Sequence, residues 1–170
     1  ADAAVTSELN VTLGIATADC APIALISDEG VIGAAHGGWH GLKAGVIEST
    51  AMAMRNLGAT EIRAALGPCI HVECYEFAQT ELDQLAGLWG DEIRGLTKWG
   101  TPALDLSAAV QAICQASNIK MEYFSPVCTG CNEDYFSYRM RKDRDRQVML
   151  LWQEQKPSDG PMSFPDVENQ

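Results

Sequence analysis

Basic residues, histidines and long apolar runs are all scarce in this sequence. Twelve Lys and Arg stand against 23 Asp and Glu, so the 170-residue chain has a formal net charge of −11. A polyanion repels phosphate backbones and anionic lipid heads, which argues against nonspecific binding of nucleic acids or membrane surfaces. A small anionic substrate stays compatible with this charge, because a local cluster of donors can outweigh a diffuse field. No apolar run reaches the roughly 20 residues that a membrane-spanning helix needs.

The N-terminus and the cysteines bear on where the protein works. No basic stretch followed by an apolar one is visible at the N-terminus, so no signal peptide is indicated. Because the sequence lacks an initiator Met, we expect a further segment upstream of Ala1. A chain of this length can bury a core without disulfides, so we expect reduced thiols in a cytoplasmic protein. The six cysteines are Cys20, Cys69, Cys74, Cys114, Cys128 and Cys131.

Hydrophobic patterning indicates one domain of the α+β class. The predicted domain spans residues 1–155, and the tail 156–170, rich in Pro, Ser, Asp and Gly, is expected to be loose. Strand-like runs follow one another instead of alternating with helices, which favours mixed sheets with helices packed outside over a doubly wound parallel sheet. The predicted strands are 11–18, 22–27, 31–35, 61–66, 120–124 and 147–152, and the predicted helices are 45–57, 78–89 and one capped by Asp105.

Cys20 and His36 are the first candidates for chemistry. Each follows an apolar strand-like run at a point where the chain turns. A thiolate and an imidazole at the ends of adjacent strands can converge on one Zn²⁺. The same pair could instead be a nucleophilic cysteine with a histidine base. A buried structural cysteine with an ordinary loop histidine is the third alternative, and on these two residues alone it is the commoner case.

Two other clusters of candidate residues have less specific sequence patterns. The run Cys128–Cys131 has C-x-x-C spacing, but no second C-x-x-C exists to complete a four-cysteine site, so structural or incidental thiols are favoured. Arg139 opens the one basic cluster, which could gather an anion such as phosphate or form a solvated face. The other members of this cluster are Arg141, Lys142, Arg144 and Arg146.

Several motifs, taken together and in order, resemble the signature of the YfiH-like family. Members of this family are also called laccase-domain proteins, polyphenol oxidases or purine nucleoside phosphorylases. The resemblance extends from the strand before Cys20 to about Gln147, and several motifs in the right order are more specific than any one alone. The segments are TADCAP at 17–22, HGGWHG at 36–41, LGPCI at 66–70, CT at 128–129 and FSYR at 136–139.

The resemblance implies a fold and a metal site. The fold would be a mixed β-sandwich flanked by helices, distantly similar to the catalytic domain of cytotoxic necrotizing factor. The metal would be Zn²⁺, with Cys20 and His36 as two ligands and a histidine upstream of Ala1 as the third, since neither His40 nor His71 precedes Cys20. Three protein ligands and a water are the open arrangement expected of a catalytic zinc site. His40 departs from the family pattern, which usually has Arg at this position.

The resemblance also implies an activity, namely phosphorolysis of the purine nucleosides adenosine, inosine, guanosine and methylthioadenosine. Adenosine deamination in the same pocket is a further expectation. Arg139 is a candidate to hold the phosphate. Asp19 is a candidate either to orient a metal ligand or to act as an acid or base, and a capping or salt-bridge role is equally open for both residues. The expected partners are therefore a purine nucleoside and phosphate, and no oligomeric state is indicated.

Three alternative functions remain open at this point. A copper-dependent polyphenol oxidase would need a mononuclear site and a trinuclear cluster, both rich in imidazole, whereas the chain has three histidines. A metal-free Cys20–His36 hydrolase would resemble the toxin domain. An inactive scaffold is the alternative from another class, and it is motivated by the missing third histidine and by His40.

Overall fold

Within residues 1–154 the chain forms nine strands and five helices. The structure, a computed structural model, describes these residues, and the predicted loose tail 156–170 lies outside them. The strands are β1 (Ala3–Thr6), β2 (Leu13–Thr17), β3 (Ala21–Ser27), β4 (Ile32–Gly37), β5 (Ile62–Leu66), β6 (Arg94–Leu96), β7 (Pro102–Leu104), β8 (Ile119–Phe124) and β9 (Gln147–Leu151). The helices are α1 (Trp39–Lys43), α2 (Val46–Asn56), α3 (Gln79–Trp89), α4 (Leu106–Ala116) and α5 (Tyr138–Arg141), with 3₁₀ turns at Val72–Cys74 and Asp91–Ile93.

The main sheet has five strands in the order β1-β4-β3-β5-β8. Its pairings are antiparallel except for β5 with β8, which run parallel because α3 and α4 lie between them in the chain. All seven residues of β3 are buried, as expected for the central strand of a sheet that is covered on both faces.

A second, smaller sheet makes the fold a sandwich. Strand β2 pairs with β9, and Leu13 and Ile15 of β2 pack on Ile26, Ile32 and Ala34 of the main sheet. The other face of the main sheet is covered by helices, which bury residues such as Met54 of α2 and Val110 of α4 in the larger core. The α+β fold class with mixed sheets and outer helices is therefore confirmed.

Two helix boundaries follow from identifiable signals in the sequence. Helix α4 begins where the Asp105 carboxylate accepts a hydrogen bond from the Ala108 N–H at 2.9 Å, as its capping role predicts. Helix α2 begins one residue later than predicted, because Gly45 has φ of +81° and precedes the helix. Gly58, with φ of +102°, ends it as expected.

Some elements differ from the sequence-based prediction. The hairpin of β3 and β4 is present, but β4 continues to Gly37, so that His36 lies within the strand. The short elements β1, β6, β7, α1 and α5 were not predicted, because runs of three to five residues show too little periodicity. None of the helices in the described part of the chain is long and apolar enough to cross a membrane.

Close packing at Gly37 predicts a local limit on side-chain size. A Cβ added to Gly37 would lie 2.9 Å from Ile23 Cδ1 and 3.0 Å from the Ala21 carbonyl oxygen. Gly37→Ala should therefore lower the free energy of unfolding by about 1–3 kcal/mol, which urea titration measures. The matched control is Gly14→Ala in β2, where the new Cβ would lie at an ordinary contact distance of 3.4 Å from Leu150. This substitution should change the free energy of unfolding by no more than about 0.5 kcal/mol. Equal stability of the two variants would contradict this packing argument.

Candidate active site

Strand pairing places Cys20 and His36 at the same end of the main sheet. In the β3–β4 register Ala21 is opposite Gly37 and Pro22 is opposite His36. Cys20 therefore lies just before the first paired residue of β3, next to the end of β4. The antiparallel hairpin itself brings the two segments together, as the apolar runs on either side of the turn predict.

The side chains of Cys20 and His36 both border the space beside Gly38. A Cβ built on Gly38 would lie 3.2 Å from Cys20 Sγ and 4.0 Å from His36 Nε2, so both atoms border the same small space. The other ring nitrogen of His36, Nδ1, is 3.3 Å from Asp2 Oδ1. Histidine ligands of metals commonly have their second nitrogen paired with a carboxylate in this way. The donor set of thiol and imidazole suits Zn²⁺.

The Cys20 thiol lies in surroundings that disfavour its anion in the absence of a cation. Burial raises the pKa of Cys20 above its ordinary value, and the neighbouring carboxylates Asp19 and Asp2 add to this, while Arg146 acts in the opposite direction. A cysteine nucleophile without a metal reacts as the thiolate and needs a lowered pKa. The electrostatics therefore fit a thiol that is ionised by a metal better than a free nucleophile.

Asp19 connects the Cys20 turn to two distant segments. Its Oδ1 accepts a hydrogen bond from the Thr129 hydroxyl at 2.8 Å, and its Oδ2 accepts one from the Arg139 backbone N–H at 2.6 Å. The Asp19 carbonyl accepts a further bond from the Ile70 N–H at 2.8 Å. Asp19 is 7% exposed and has φ of +92°, a conformation that Asp tolerates better than most residues. Both carboxylate oxygens thus have protein partners.

Arg139 is positioned at the start of α5, where Ser137 caps the helix by accepting a hydrogen bond from the Met140 N–H. Its guanidinium carbon lies 5.0 Å from the centroid of the Tyr75 ring, and Nη1 donates to the Glu76 carbonyl at 3.3 Å. Burial raises the pKa of Tyr75 to about 12, with Cys20 as a further cause, so this phenol stays neutral. The exposed Arg139 keeps further N–H groups available for an anion.

An open groove lies beside Arg139, and neither Cys20 nor His36 is among its lining residues. Its volume is about 220 Å³. Trp39 follows Gly38 directly and contacts Phe77 edge to face, with ring centroids 5.5 Å apart. His40, at the position where the family pattern has Arg, stacks on Trp39 at 3.5 Å. The groove is lined by Trp39, Glu76, Phe77, Ala78, Glu81 and Arg139.

Other members of the basic cluster are used within the protein. Arg141 donates to the carbonyls of Thr129 and Gly130 and pairs with Asp143 at 3.1 Å, so it fastens the preceding loop. Arg146 donates to the carbonyls of residues 143–145. Arg139 is the member of the cluster that lines the groove.

Sequence reasoning did not single out several residues that lie at or near this site. Asp2 lies beside His36, and Tyr75 lies beneath Arg139. Neither Asp2 nor Tyr75 belongs to a sequence motif, and only the tertiary structure brings them to the site. A further group, Glu73 and Cys74 with Cys128 and Cys131, brings four ligand-type atoms within 4.8 Å of one another. The C-x-x-C spacing of the last two residues was the one signal of this group. All six cysteines are free thiols in the structure.

Comparisons with known proteins agree with this fold. The family described as multi-copper polyphenol oxidoreductase laccase matches residues 1–154. A purine nucleoside phosphorylase of Streptomyces coelicolor is 39% identical over 154 residues, which are 89% of this chain and 63% of the relative. One of Deinococcus radiodurans is 40% identical over 143 residues, 81% of this chain and 55% of the relative.

Solved structures give the same assignment. A Neisseria meningitidis protein superposes with a TM-score of 0.80 at 29% identity, covering 91% of this chain and 65% of its own. The Bacillus licheniformis hypothetical protein YfiH superposes with a TM-score of 0.77 at 27% identity, and the match covers 88% of this chain and 60% of that protein. The chain thus spans about six tenths of the length of such relatives. It belongs to the multi-copper polyphenol oxidoreductase laccase family, of which its YfiH-like motifs are typical.

Proposed function

We propose that this protein is a zinc-dependent purine nucleoside phosphorylase in which Cys20 and His36 are two of the metal ligands. The observation that carries the proposal is the approach of Cys20 Sγ and His36 Nε2 to the same space beside Gly38, with His36 Nδ1 turned to Asp2. The third ligand is expected upstream of Ala1, outside the sequence described. The relatives in Streptomyces and Deinococcus are named purine nucleoside phosphorylases, which supports the activity.

The reaction assigns a task to each part of the groove. An oxygen of phosphate attacks the anomeric carbon of the ribose, the bond to the purine nitrogen breaks, and the purine leaves with a proton while a pentose 1-phosphate forms. Arg139 offers guanidinium donors that suit a phosphate dianion. Trp39 and Phe77 offer apolar ring surface for a purine, and the Glu81 carboxylate can accept hydrogen bonds from ribose hydroxyls. A Zn²⁺ held by Cys20 and His36 would supply a Lewis acid.

Zinc is favoured over copper by the donor set. A multicopper oxidase assembles several imidazoles, whereas this chain has three histidines. Of these, His40 stacks on Trp39 in the structure. The free thiols fit the reducing interior of a cell, which supports a cytoplasmic enzyme.

The first prediction concerns the metal ligands. Cys20→Ala and His36→Ala in the full-length protein should each lower phosphate-dependent release of purine from inosine by roughly 100-fold or more, because loss of even an indirect partner of a metal costs about 10- to 100-fold. Chelation should abolish the activity and Zn²⁺ should restore it. The control is Cys114→Ala, a buried cysteine of α4, which should keep activity near wild type.

Two outcomes would count against this proposal, and a third would add an activity to it. Activity that survives chelation, together with covalent trapping of Cys20 by an electrophile, would favour a metal-free hydrolase. Stoichiometric copper with a thiolate-to-copper absorption band would favour an oxidase. Conversion of adenosine to inosine without phosphate would indicate deamination in the same pocket.

The second prediction concerns Arg139. Arg139→Gln removes the guanidinium and should raise the KM for phosphate by about 10- to 100-fold, the equivalent of a charged hydrogen bond of about 1.5–3 kcal/mol. The matched control is Arg144→Gln, an exposed arginine of the same cluster that does not line the groove. Steady-state kinetics at varied phosphate checks both variants, and equal KM values would contradict the role of Arg139.

The third prediction separates two roles for Asp19. Because both of its oxygens accept hydrogen bonds from Thr129 and Arg139, we propose that Asp19 positions the Cys20 turn and does not transfer a proton. Asp19→Asn replaces one acceptor by a donor, so kcat/KM should fall by about tenfold while the shape of its pH profile is unchanged. Loss of one limb of the profile would instead assign acid or base chemistry to Asp19.

A further inference from the structure

A group of four potential ligands lies outside the Cys20–His36 pair. Glu73 and Cys74 come from the 3₁₀ turn that follows β5, and Cys128 and Cys131 come from the loop after β8. One ligand atom from each residue lies within 4.8 Å of every other, although the two loops are far apart in sequence. The Cys74 and Cys131 sulfurs are 3.1 Å apart, and Cys131 Sγ is 3.6 Å from Glu73 Oε1.

The Cys128–Cys131 turn has a backbone arrangement that suits a metal-binding C-x-x-C. The Cys128 carbonyl accepts from the N–H groups of Cys131 at 3.2 Å and Asn132 at 3.0 Å, which folds the turn back on itself. The His71 N–H donates to Cys128 Sγ at 3.3 Å. N–H donors directed at a sulfur stabilise it as an anionic ligand.

Gly130 is the second, independent feature of this arrangement. A Cβ at Gly130 would lie 2.9 Å from Cys74 Cβ and 3.2 Å from Cys74 Sγ, closer than packed atoms tolerate. The absence of a side chain therefore lets Cys74 lie against the turn. Without this close approach the third sulfur could not join the C-x-x-C pair.

We propose that Glu73, Cys74, Cys128 and Cys131 bind one Zn²⁺ in a closed, structural site that is separate from the Cys20–His36 pair. Tetrahedral zinc with Zn–S bonds of about 2.3 Å places its sulfurs roughly 3.7 Å apart. The Cys74–Cys131 sulfur distance of 3.1 Å is close to this value, and the ligand atoms, all within 4.8 Å of one another, need to move by about 1 Å at most. Binding releases the thiol protons to solvent. Because Cys131 is exposed, the ion has a route of entry.

Charge balance and position support the same site. Three thiolates and a carboxylate carry more negative charge than one divalent ion neutralises, and the Arg141 guanidinium donates to the Thr129 and Gly130 carbonyls within the same turn. Thr129 follows Cys128 and donates to Asp19, while Tyr75 follows Cys74 and lies beneath Arg139. The ion would therefore fasten together the two loops that hold Asp19 and Arg139.

The experiment uses the full-length protein carrying Cys20→Ala and His36→Ala, so that its outcome does not depend on the proposed catalytic zinc. Titration with Co²⁺ should give about one ion per chain, with a thiolate-to-cobalt charge-transfer band and strong tetrahedral visible bands, and Zn²⁺ should displace the cobalt. Adding Cys131→Ser should abolish the charge-transfer band or weaken binding by at least about tenfold, and so should adding Glu73→Gln. Adding Cys114→Ser instead should leave the titration unchanged.

The proposal fails if the parent double variant shows no charge-transfer band, or if the band is the same with Cys131→Ser. It also fails if protein purified without reductant contains a Cys74–Cys131 disulfide that persists when Zn²⁺ is supplied during expression. Such a disulfide would use two of the four residues and leave Glu73 and Cys128 without a common role. Cys131 is exposed and Glu73 is only half-buried, so thermal melts should show that both variants fold.

Discussion

The buried carboxylate of Asp19 is the interaction on which the geometry of this site depends. It receives the Thr129 hydroxyl on one oxygen and the Arg139 N–H on the other, and its own carbonyl receives the Ile70 N–H. Three segments that are remote in sequence are thereby fastened to the residue that precedes Cys20. A buried carboxylate is costly unless it is hydrogen-bonded, so these contacts stabilise one arrangement of the loops around the thiol.

Strand pairing in the main sheet is the second feature that positions the site residues. Antiparallel pairing of β3 with β4 sets Cys20 and His36 on neighbouring chain ends, and the absence of a side chain at Gly38 leaves space that both side chains border. An alanine at Gly38 would place its Cβ in this space, 3.2 Å from the Cys20 sulfur. Crowding around the two side chains thus explains the glycine at position 38.

The sequence predicted the local parts of this structure well and the non-local parts poorly. The β3–β4 hairpin, α2, α4 and the Asp105 cap follow from periodicity and capping chemistry, which act over a few residues. The pairing of β2 with β9 joins the two ends of the described chain, and no short pattern contains that information. Their places after adjacent strands made Cys20 and His36 a candidate pair, and the motif resemblance favoured a metal site over the structural alternative.

The same contrast between local and non-local information applies to the cluster of Glu73, Cys74, Cys128 and Cys131. The C-x-x-C of Cys128 and Cys131 was visible in the sequence, but its partners Glu73 and Cys74 are supplied by another loop, and the role of Gly130 emerges only when that loop packs against it. The two hydrogen-bond partners of Asp19, which favour an orienting role over acid–base chemistry, likewise come from distant parts of the chain. Non-local contacts of this kind require the folded chain, since side chains far apart in sequence carry no joint periodic signal.

The central claim is that the sulfur of Cys20 and the imidazole of His36 share one zinc ion. The most direct measurement is a crystal structure of the full-length protein with anomalous data collected on both sides of the zinc absorption edge. If the two side chains share a zinc ion, an anomalous peak should lie about 2.3 Å from Cys20 Sγ and about 2.0–2.1 Å from His36 Nε2. A map from zinc-loaded protein with no peak between these two side chains, or with the side chains turned away from each other, would contradict it.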